Sequence, residues 1–305
     1  MAGFMKILNF GSLNIDYVYN VEHFVQPGET LAAQSRSVFP GGKGLNQSIA
    51  MARAGADVYH AGSIGKNDGM FLKELLEADR VHTENIGETD TASGHTIIQV
   101  DRQGQNCIIL YGGANQSLTR EFADSVLVSF SKNDYLVLQN EINEVDYIMS
   151  EAHEKGMKIF FNPSPFNEEI KKMPLEKVDC FILNEIEAAD ICRTKETSDD
   201  TLLYSLHKKF SKAEIILTLG RKGVVCLKNG RRYSHGIYDV PVVDTTAAGD
   251  TFTGYYIAGL SKGSSTEDSL QSASIASSLS VTKKGAAPSI PYISEVQDFE
   301  RRLQK

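Results

Sequence analysis

The sequence has only four cysteines among its 305 residues, and no two of them have the CxxC spacing. Three of them, Cys107, Cys180 and Cys226, stand in apolar runs, where a reduced thiol packs as a small apolar side chain. No stretch approaches the roughly 20 apolar residues that cross a bilayer, and no basic segment followed by an apolar one opens the chain. We therefore expect a cytoplasmic protein with reduced thiols and no membrane span.

Long runs of one charge are also missing. No run of like charge exceeds two residues, as in Lys171-Lys172, and 31 Lys and Arg against 39 Asp and Glu give a net charge of −8. A nucleic acid or a membrane surface would require a basic patch, so we expect small-molecule ligands instead. A hydrophobic content of 41% is ample for a core, and without a linker or an internal repeat we predict one domain over residues 1–305.

Several motifs that define common enzyme classes are absent. The seven histidines are isolated and show no HExxH spacing, which disfavours a metalloenzyme. The sequence has no GxSxG for a serine hydrolase, and no GxGxxG follows the first apolar run, as a dinucleotide-dependent dehydrogenase would need. The glycines around Gly42 do not form a Walker A loop, because no Gly stands five residues earlier and no Ser or Thr follows Lys43.

The order of apolar and polar runs predicts an α/β protein. Residues 7–10 are predicted as a first buried strand, with Met5 just before it and residues 1–4 interpreted as a ragged extension. From residue 118 onward helices alternate with strands, and the last helix is predicted over residues 267–280. This alternation is typical of a parallel sheet with helices on both faces, whose ligands bind beyond the carboxyl ends of the strands.

Four β-pieces interrupt the alternation. Two of them flank the turn at residues 27–30, and the others form a predicted hairpin of residues 95–100 and 105–111. We predict that strands from about residues 14–39 and 92–112 form a small sheet outside the main body, which acts as a lid. Its open edge and apolar face lead us to expect a homodimer.

The stretch 243–254 carries the strongest chemical signal. Residues 240–243 are interpreted as the end of a strand, and residues 252–260 have apolar residues at helical spacing. The small residues 247–249 between them leave the amides of a helix start unshielded, which favours a phosphate group. Asp250 then lies in the first turn, where it could accept a proton from a hydroxyl or only complement the helix dipole.

Two further segments suit a sugar and a cation. Asn14 and Asp16 lie two residues apart, on one face of an extended chain, where they could bind a polyol or only close a turn. The loop of small residues at 281–289 exposes carbonyl groups, which can hold a hard monovalent cation.

Together these segments resemble a known family. Gly41-Gly42-Lys43-Gly44-Leu45-Asn46 and Asp244-Thr245-Thr246-Ala247-Ala248-Gly249-Asp250 resemble the two signatures of the ribokinase-like (PfkB) carbohydrate kinases. Further matches follow in the family's order between residues 9 and 289: Asn14-Ile15-Asp16, Pro27-Gly28-Glu29-Thr30-Leu31, Gly113-Ala114-Asn115, Asn162-Pro163-Ser164-Pro165, Asn184-Glu185-Ile186-Glu187, Thr218-Leu219-Gly220 and Lys284-Gly285-Ala286-Ala287-Pro288-Ser289. The resemblance implies a ribokinase-like three-layer α/β/α fold with a mostly parallel central sheet and a small β-sheet lid.

The resemblance also implies phosphoryl transfer from ATP to the primary hydroxyl of a sugar, D-ribose at O5. It gives Asp250 as the base and the amides of Ala247, Ala248 and Gly249 as an anion hole. The implied sugar-binding residues are Asn14, Asp16, Gly42, Lys43, Asn46 and Glu141. The implied nucleotide-binding residues are Asn184, Thr218, Gly220 and Gly223, with Glu187 tied to Mg²⁺ and phosphate and Ser274 near the adenine. The implied K⁺ site consists of Asp244, Thr246, Ser280, Lys283, Gly285 and Ser289.

Alternatives stay open at this point. Asn140 stands before Glu141 where the family often has an apolar residue, which bears on sugar preference, and Ser274 stands where many members have Asn or His. A kinase acting on fructose, deoxyribose or a nucleoside is the alternative, and a nucleoside would need room for a base beside Asn14 and Gly42. A catalytically dead sensor would be expected to lose Asp250 or the glycines before it, and this chain keeps them.

Overall fold

The computed structural model describes residues 5–196 and 198–303, so the interpretation of residues 1–4 lies outside it. Its strands are β1 (Lys6–Phe10), β2 (Asn14–Asn20), β3 (Ser35–Gly41), β4 (Asp57–Gly65), β5 (His82–Thr89), β6 (Gly94–Val100), β7 (Asn106–Tyr111), β8 (Tyr135–Gln139), β9 (Lys158–Asn162), β10 (Cys180–Asn184), β11 (Glu214–Thr218), β12 (Val224–Lys228) and β13 (Arg231–His235). Its α-helices are α1 (Lys43–Arg53), α2 (Met70–Ala78), α3 (Arg120–Leu127), α4 (Val145–Glu154), α5 (Glu185–Cys192), α6 (Asp199–Lys209), α7 (Ala248–Ser261), α8 (Thr266–Ser280) and α9 (Ile293–Leu303).

The larger sheet has nine strands in the order β13-β12-β11-β10-β9-β8-β1-β4-β5. The pairs from β11 to β5 are parallel, and β12 and β13 add an antiparallel hairpin at one edge. All five residues of β8 are buried, as expected for a strand covered on both faces. The predicted, mostly parallel central sheet is therefore confirmed.

Helices cover both faces of this sheet, and alternate residues of each strand face opposite sides. In β1, Ile7 packs in one apolar cluster with residues of α1, α7 and α8, while Leu8 packs in a second cluster with residues of α3, α4 and α6. Tyr135 and Leu136 of β8 divide between the same two clusters. The arrangement is the three-layer α/β/α fold that the sequence predicted.

A second sheet, which we call the lid sheet, contains four strands in the order β3-β2-β6-β7. The β2–β3 and β6–β7 pairs are antiparallel and the β2–β6 pair is parallel. These strands come from the two predicted segments, 14–39 and 92–112. All six residues of β7 are exposed, including Ile108 and Ile109, so this sheet presents an uncovered edge and apolar side chains.

Three local predictions need correction. Residues 240–243, interpreted as a strand end, form a loop, because Pro241 lacks an N–H and the Val243 amide donates to the Val281 carbonyl oxygen instead of to a strand. The helix predicted last, over residues 267–280, is followed by α9, where Val296 is buried and Phe299 contacts Tyr238. The hairpin β12–β13 was not predicted, although Asn229-Gly230 between its strands is a strong hairpin turn signal, and both residues have the positive φ values of such a turn. Among the described residues no helix is both long and apolar enough to cross a bilayer.

Candidate active site

Helix α7 begins at the turn that the sequence singled out. Ala247 has a left-handed backbone (φ 60°), and the helix starts at the next residue. The Ala248 amide makes a 3.3 Å turn bond to the Thr245 carbonyl, whereas the amides of Gly249 and Asp250 have no backbone partner within the described residues. A Cβ added to Gly249 would meet nothing within 4 Å. The amides at this helix start are therefore accessible to an anion.

Asp250 is buried in the first turn of α7, and its carboxylate is held by two neighbouring residues of α1. Asn46 Nδ2 donates to Oδ2 at 3.0 Å, and Gln47 Nε2 donates to Oδ1 at 3.0 Å. The two helices approach closely at Gly254, where an added Cβ would lie 2.4 Å from the Cβ of Ala50. Glycine at this position is what allows α1 to reach the carboxylate.

A cavity of about 250 Å³ opens in front of this carboxylate, between the start of α1, the carboxyl ends of β9–β11 and the start of α7. Its lining includes Lys43, Asn184, Glu187, Thr218, Ala247, Ala248, Gly249 and Asp250. Burial alone would lower the pKa of Lys43, but the charges of Asp250, Glu141 and Glu187 outweigh burial and raise it. The Lys43 ammonium therefore remains charged at neutral pH beside the phosphate-accessible amides.

The predicted sugar-binding residues converge at the root of the lid sheet. Asn14 Oδ1 accepts a bond from Asn115 Nδ2 at 2.6 Å, and Asp16 Oδ1 accepts one from Thr96 Oγ1 at 2.6 Å. The neighbouring Gly41 leaves room for the Asp16 carboxylate, since an added Cβ would lie 2.0 Å from Oδ2. Burial raises the pKa of Asp16, and the bond from Thr96 opposes this shift.

Glu141 joins the same region from the loop after β8. Its Oε2 accepts bonds from the Ser12 hydroxyl and from the Lys43 amide, the latter at 2.9 Å. Burial raises the pKa of this carboxyl, against the opposing effects of Lys43 and Ser12. Gly42 lies next to Lys43 with a left-handed φ of 94°, and an added Cβ would lie 3.0 Å from the Ser12 carbonyl oxygen.

The predicted nucleotide-binding residues lie at the carboxyl ends of β10 and β11. Asn184 caps α5, its Oδ1 accepting from the amides of Ile186 and Glu187, while Glu187 Oε2 accepts from the Asn184 amide at 3.0 Å. Thr218 pairs with Asn184 in the sheet register, and Gly220 and Gly223 follow in a turn with positive φ values of 54° and 91°. Ser274 differs from this group, because it is buried within α8 and does not line the cavity.

The segments of the predicted K⁺ site are brought together by Asp244. Its Oδ1 accepts from the Thr246 amide and hydroxyl at 2.9 and 2.6 Å, and its Oδ2 accepts from the Gly285 amide at 2.9 Å. Burial would raise the pKa of Asp244, but these bonds and the charge of Lys284 lower it. The side chain of Lys283 turns away to pair with Glu295 at 2.8 Å.

Ser280 and Ser289 lie fully buried near the same loop. Hydroxyl, carboxylate and carbonyl oxygens of this kind suit a hard monovalent cation. Within the ranges 5–196 and 198–303 no three His, Cys, Asp or Glu side chains cluster as ligands for one metal ion. Magnesium commonly binds through one or two carboxylates and substrate phosphates, and two carboxylates, Glu187 and Asp250, line the cavity.

Several residues at the site were not predicted from the sequence. Gln47 holds Asp250, Ser12 binds Glu141, and Asn115 and Thr96 hold the Asn14 and Asp16 side chains. Gln47 directly follows the predicted Asn46, and that adjacency was the available signal. Polar residues on a helix ordinarily face solvent, which hid its role.

Comparison with known proteins identifies the family of this chain. The profile of the pfkB family carbohydrate kinase matches residues 5–293. A ribokinase of Haemophilus influenzae is 33% identical over 299 residues, which cover 95% of this chain and 96% of that protein. The chain belongs to the pfkB family of carbohydrate kinases and is an ATP-dependent sugar kinase.

Two solved structures share the fold over nearly their whole length. Ribokinase from Cryptococcus neoformans var. grubii serotype A, in complex with ADP, has a TM-score of 0.86 and 32% identity, covering 97% of this chain and 99% of that one. Arabidopsis thaliana ribokinase, complexed with ribose and ATP, has a TM-score of 0.86 and 26% identity, covering 97% and 98%. Both comparisons are with ribokinases.

Proposed function

We propose that this protein is a ribokinase, which transfers the γ-phosphoryl group of ATP to O5 of D-ribose. The observation that carries the proposal is the Asp250 carboxylate, held from both sides at the amino end of α7 beside amides that an anion can reach. The named relatives supply the sugar, because both the curated relative and the two solved structures are ribokinases.

In this mechanism Asp250 takes the proton of the sugar hydroxyl as that oxygen attacks the γ-phosphorus atom, while the bond from this phosphorus to the bridging oxygen breaks and ADP leaves with that oxygen. The amides of Ala247, Ala248 and Gly249, together with Lys43, stabilise the negative charge on the transferred group. Such a reaction demands mainly alignment and charge stabilisation from the protein, and a base adjacent to an anion site provides both.

The sugar would bind between the lid sheet and α1. Asn14, Asp16 and Glu141 offer acceptors, while Lys43 and Asn46 offer donors, which suits a polyol whose hydroxyls both donate and accept. The predicted lid, built on residues 14–39 and 92–112, would exclude water that could otherwise hydrolyse ATP. Residues 1–305 would then act as one domain.

The nucleotide would bind along Asn184, Thr218, Gly220 and Gly223, with Ser274 near the adenine. Mg²⁺ would neutralise charge on the phosphates close to Glu187. K⁺ would bind the oxygens of Asp244, Thr246, Ser280, Lys283, Gly285 and Ser289 and stabilise the loop before α7. We also infer a homodimer through the lid sheet, supported by its uncovered edge, and a cytoplasmic location, supported by the free thiol state of Cys107, Cys180, Cys192 and Cys226.

Turnover with ribose, deoxyribose, fructose and adenosine at saturating ATP tests the substrate. We expect ribose to give the highest kcat/KM. A higher value for any of the others would replace ribokinase by the corresponding kinase of the same family. The same assay in potassium and in a large organic cation tests the cation site, and equal rates would remove it from the proposal.

A further inference from the structure

We propose that Gln47 is a positioning residue for the base, and that a buried chain of side-chain amides fixes the orientation of the Gln47 amide. The inference rests on the proposed function, because it takes Asp250 as the group that accepts the proton. Gln47 itself lies behind the carboxylate and is fully buried in α1.

The Gln47 amide uses both of its N–H groups. Nε2 donates to Asp250 Oδ1 at 3.0 Å and to Asn162 Oδ1 at 3.4 Å. Asn162 presents its oxygen to Gln47, because its own Nδ2 donates to the Ile182 carbonyl at 2.7 Å. The nitrogen of Gln47 is therefore surrounded by acceptors, and one of them is the carboxylate.

The opposite end of the chain is set by a backbone carbonyl. Asn9 Nδ2 donates to the Gly44 carbonyl at 2.7 Å and to Ser48 Oγ at 2.8 Å. A carbonyl oxygen can only accept, so the nitrogen of Asn9 must face it and Asn9 Oδ1 must face Gln139. Gln139 Nε2 then donates to Asn9 Oδ1 at 2.9 Å and to Gln47 Oε1 at 2.8 Å. This last bond leaves the nitrogen of Gln47 for the carboxylate.

The buried chain of amides reduces the stability of the folded protein. Asn9, Gln47 and Gln139 are almost completely buried, and Gln139 Oε1 has no hydrogen-bond partner within the described residues. Turning the Gln139 amide over would place this oxygen against the oxygens of Asn9 and Gln47, which is worse. Apolar side chains of similar size could pack this region without an unpaired oxygen, so packing alone does not account for three amides in series.

Gln47 differs in role from its neighbour Asn46, which donates to the other carboxylate oxygen. Asn46 has a buried Oδ1 without a partner in the described part of the chain and belongs to the proposed sugar site, so its amide would bind the sugar as well as Asp250. The Gln47 oxygen already accepts a bond from Gln139, and Gln47 does not belong to the proposed sugar site. It is the contact that holds the base in place when sugar binds.

The test is the substitution Gln47→Met, which roughly keeps the volume and removes both polar atoms. We expect kcat to fall about 10- to 100-fold while KM for ATP and for sugar changes less than about twofold, because alignment of the base is lost and binding is not. In an Asp250→Ala background, assayed with correspondingly more enzyme, Gln47→Met should change kcat less than about twofold, since its effect passes through the carboxylate.

The matched control is Gln271→Met in α8, because Gln271 Nε2 also donates to a carboxylate, Glu300 Oε1, at 2.9 Å, and neither residue lines the cavity. Its kcat should equal that of the wild type. Gln139→Glu, which keeps the shape but loses a donor, should lower kcat in the same direction as Gln47→Met and by a smaller factor.

The inference is overturned if Gln47→Met leaves kcat within about twofold of wild type, or if it costs the same factor with and without the Asp250 carboxylate. Full activity of Asp250→Ala alone would instead remove the proposed base. The two failures are therefore distinguishable.

Discussion

The two sides of the active site are built in opposite ways. Around the phosphate end, Asp250 of α7 is held by two residues of α1, and these two helices pack closely at Gly254. Around the sugar end, Asn14 and Asp16 lie on β2 of a sheet whose outer strand, β7, is exposed along its whole length. The comparison suggests that the proposed base is placed on closely packed helices and the proposed sugar contacts on a sheet with an exposed edge.

The largest expected effect is a fall in kcat when Asp250, at the phosphate end of the site, is changed. Asp250→Asn keeps the shape of the side chain but removes the base, so kcat should fall about 10²- to 10⁴-fold. Nucleotide binding, measured by calorimetry, should persist. Asp268→Asn is the control, because Asp268 is also an acid in the first turn of a helix, α8, outside the cavity. Near-normal turnover of Asp250→Asn would disprove its role as base.

The second prediction concerns the pH dependence of the free energy of unfolding, through His60, which bonds to Ser48 of α1. His60 is fully buried, its ring bonded to Ser48 Oγ and to the Gly11 carbonyl, and burial lowers the pKa of His60 to about 4 from 6.5. Because the unfolded chain binds a proton on this group below pH 6.5 and the folded chain does not, stability is fully present above pH 6.5. It should fall by about 3 kcal/mol towards pH 4.

Urea unfolding of wild type and His60→Gln across this range measures the effect. The variant should show a shallower loss of stability between pH 6.5 and 4, even if it is less stable at pH 7. His95→Gln, in the lid sheet, is the matched control and should keep the wild-type slope. An unchanged slope in His60→Gln would contradict the assignment.

The third prediction tests the sugar side. Asp16→Asn should raise KM for ribose about 10- to 100-fold, because it replaces a charged acceptor in the proposed sugar site. KM for ATP should change little, since the proposed nucleotide site lies apart from Asp16, at the carboxyl ends of β10 and β11. Asp90→Asn, an exposed acid paired with Lys66, is the control. A fall in kcat with unchanged KM would mean that Asp16 acts on the reaction and not on sugar binding.

The smallest effect is expected from the lid surface. Ile109 on β7 is 59% exposed, and Ile109→Asp should shift the sedimenting species from dimer to monomer with only about a few-fold loss of kcat. Val128→Asp changes a still more exposed apolar residue after α3, 74% exposed, and should leave the dimer intact. A monomeric wild-type protein at assay concentration would refute the dimer.

Predictability from the sequence differed between these regions. The alternating strands and helices, the two glycine-rich turns and the four β-pieces were predicted, because apolar spacing and turn residues are local features of the sequence. The strand end predicted at residues 240–243 was wrong, because Pro241 lacks an N–H and the Val243 amide donates to the Val281 carbonyl oxygen, after α8, instead of to a strand. Helix α9 was missed, although Ile293, Val296 and Phe299 recur at the spacing of an amphipathic helix.

The sequence by itself determined the alternating α/β order, the helix start with small residues before Asp250, and the likeness to the sugar kinases. Only the tertiary structure decided that Gln47 and Asn46 share the Asp250 carboxylate across 203 and 204 residues of chain, and that a carbonyl at Gly44 sets the direction of an amide chain. The reason is physical: short-range patterns specify helices and strands, whereas the partner of a buried polar group depends on which distant segment packs against it.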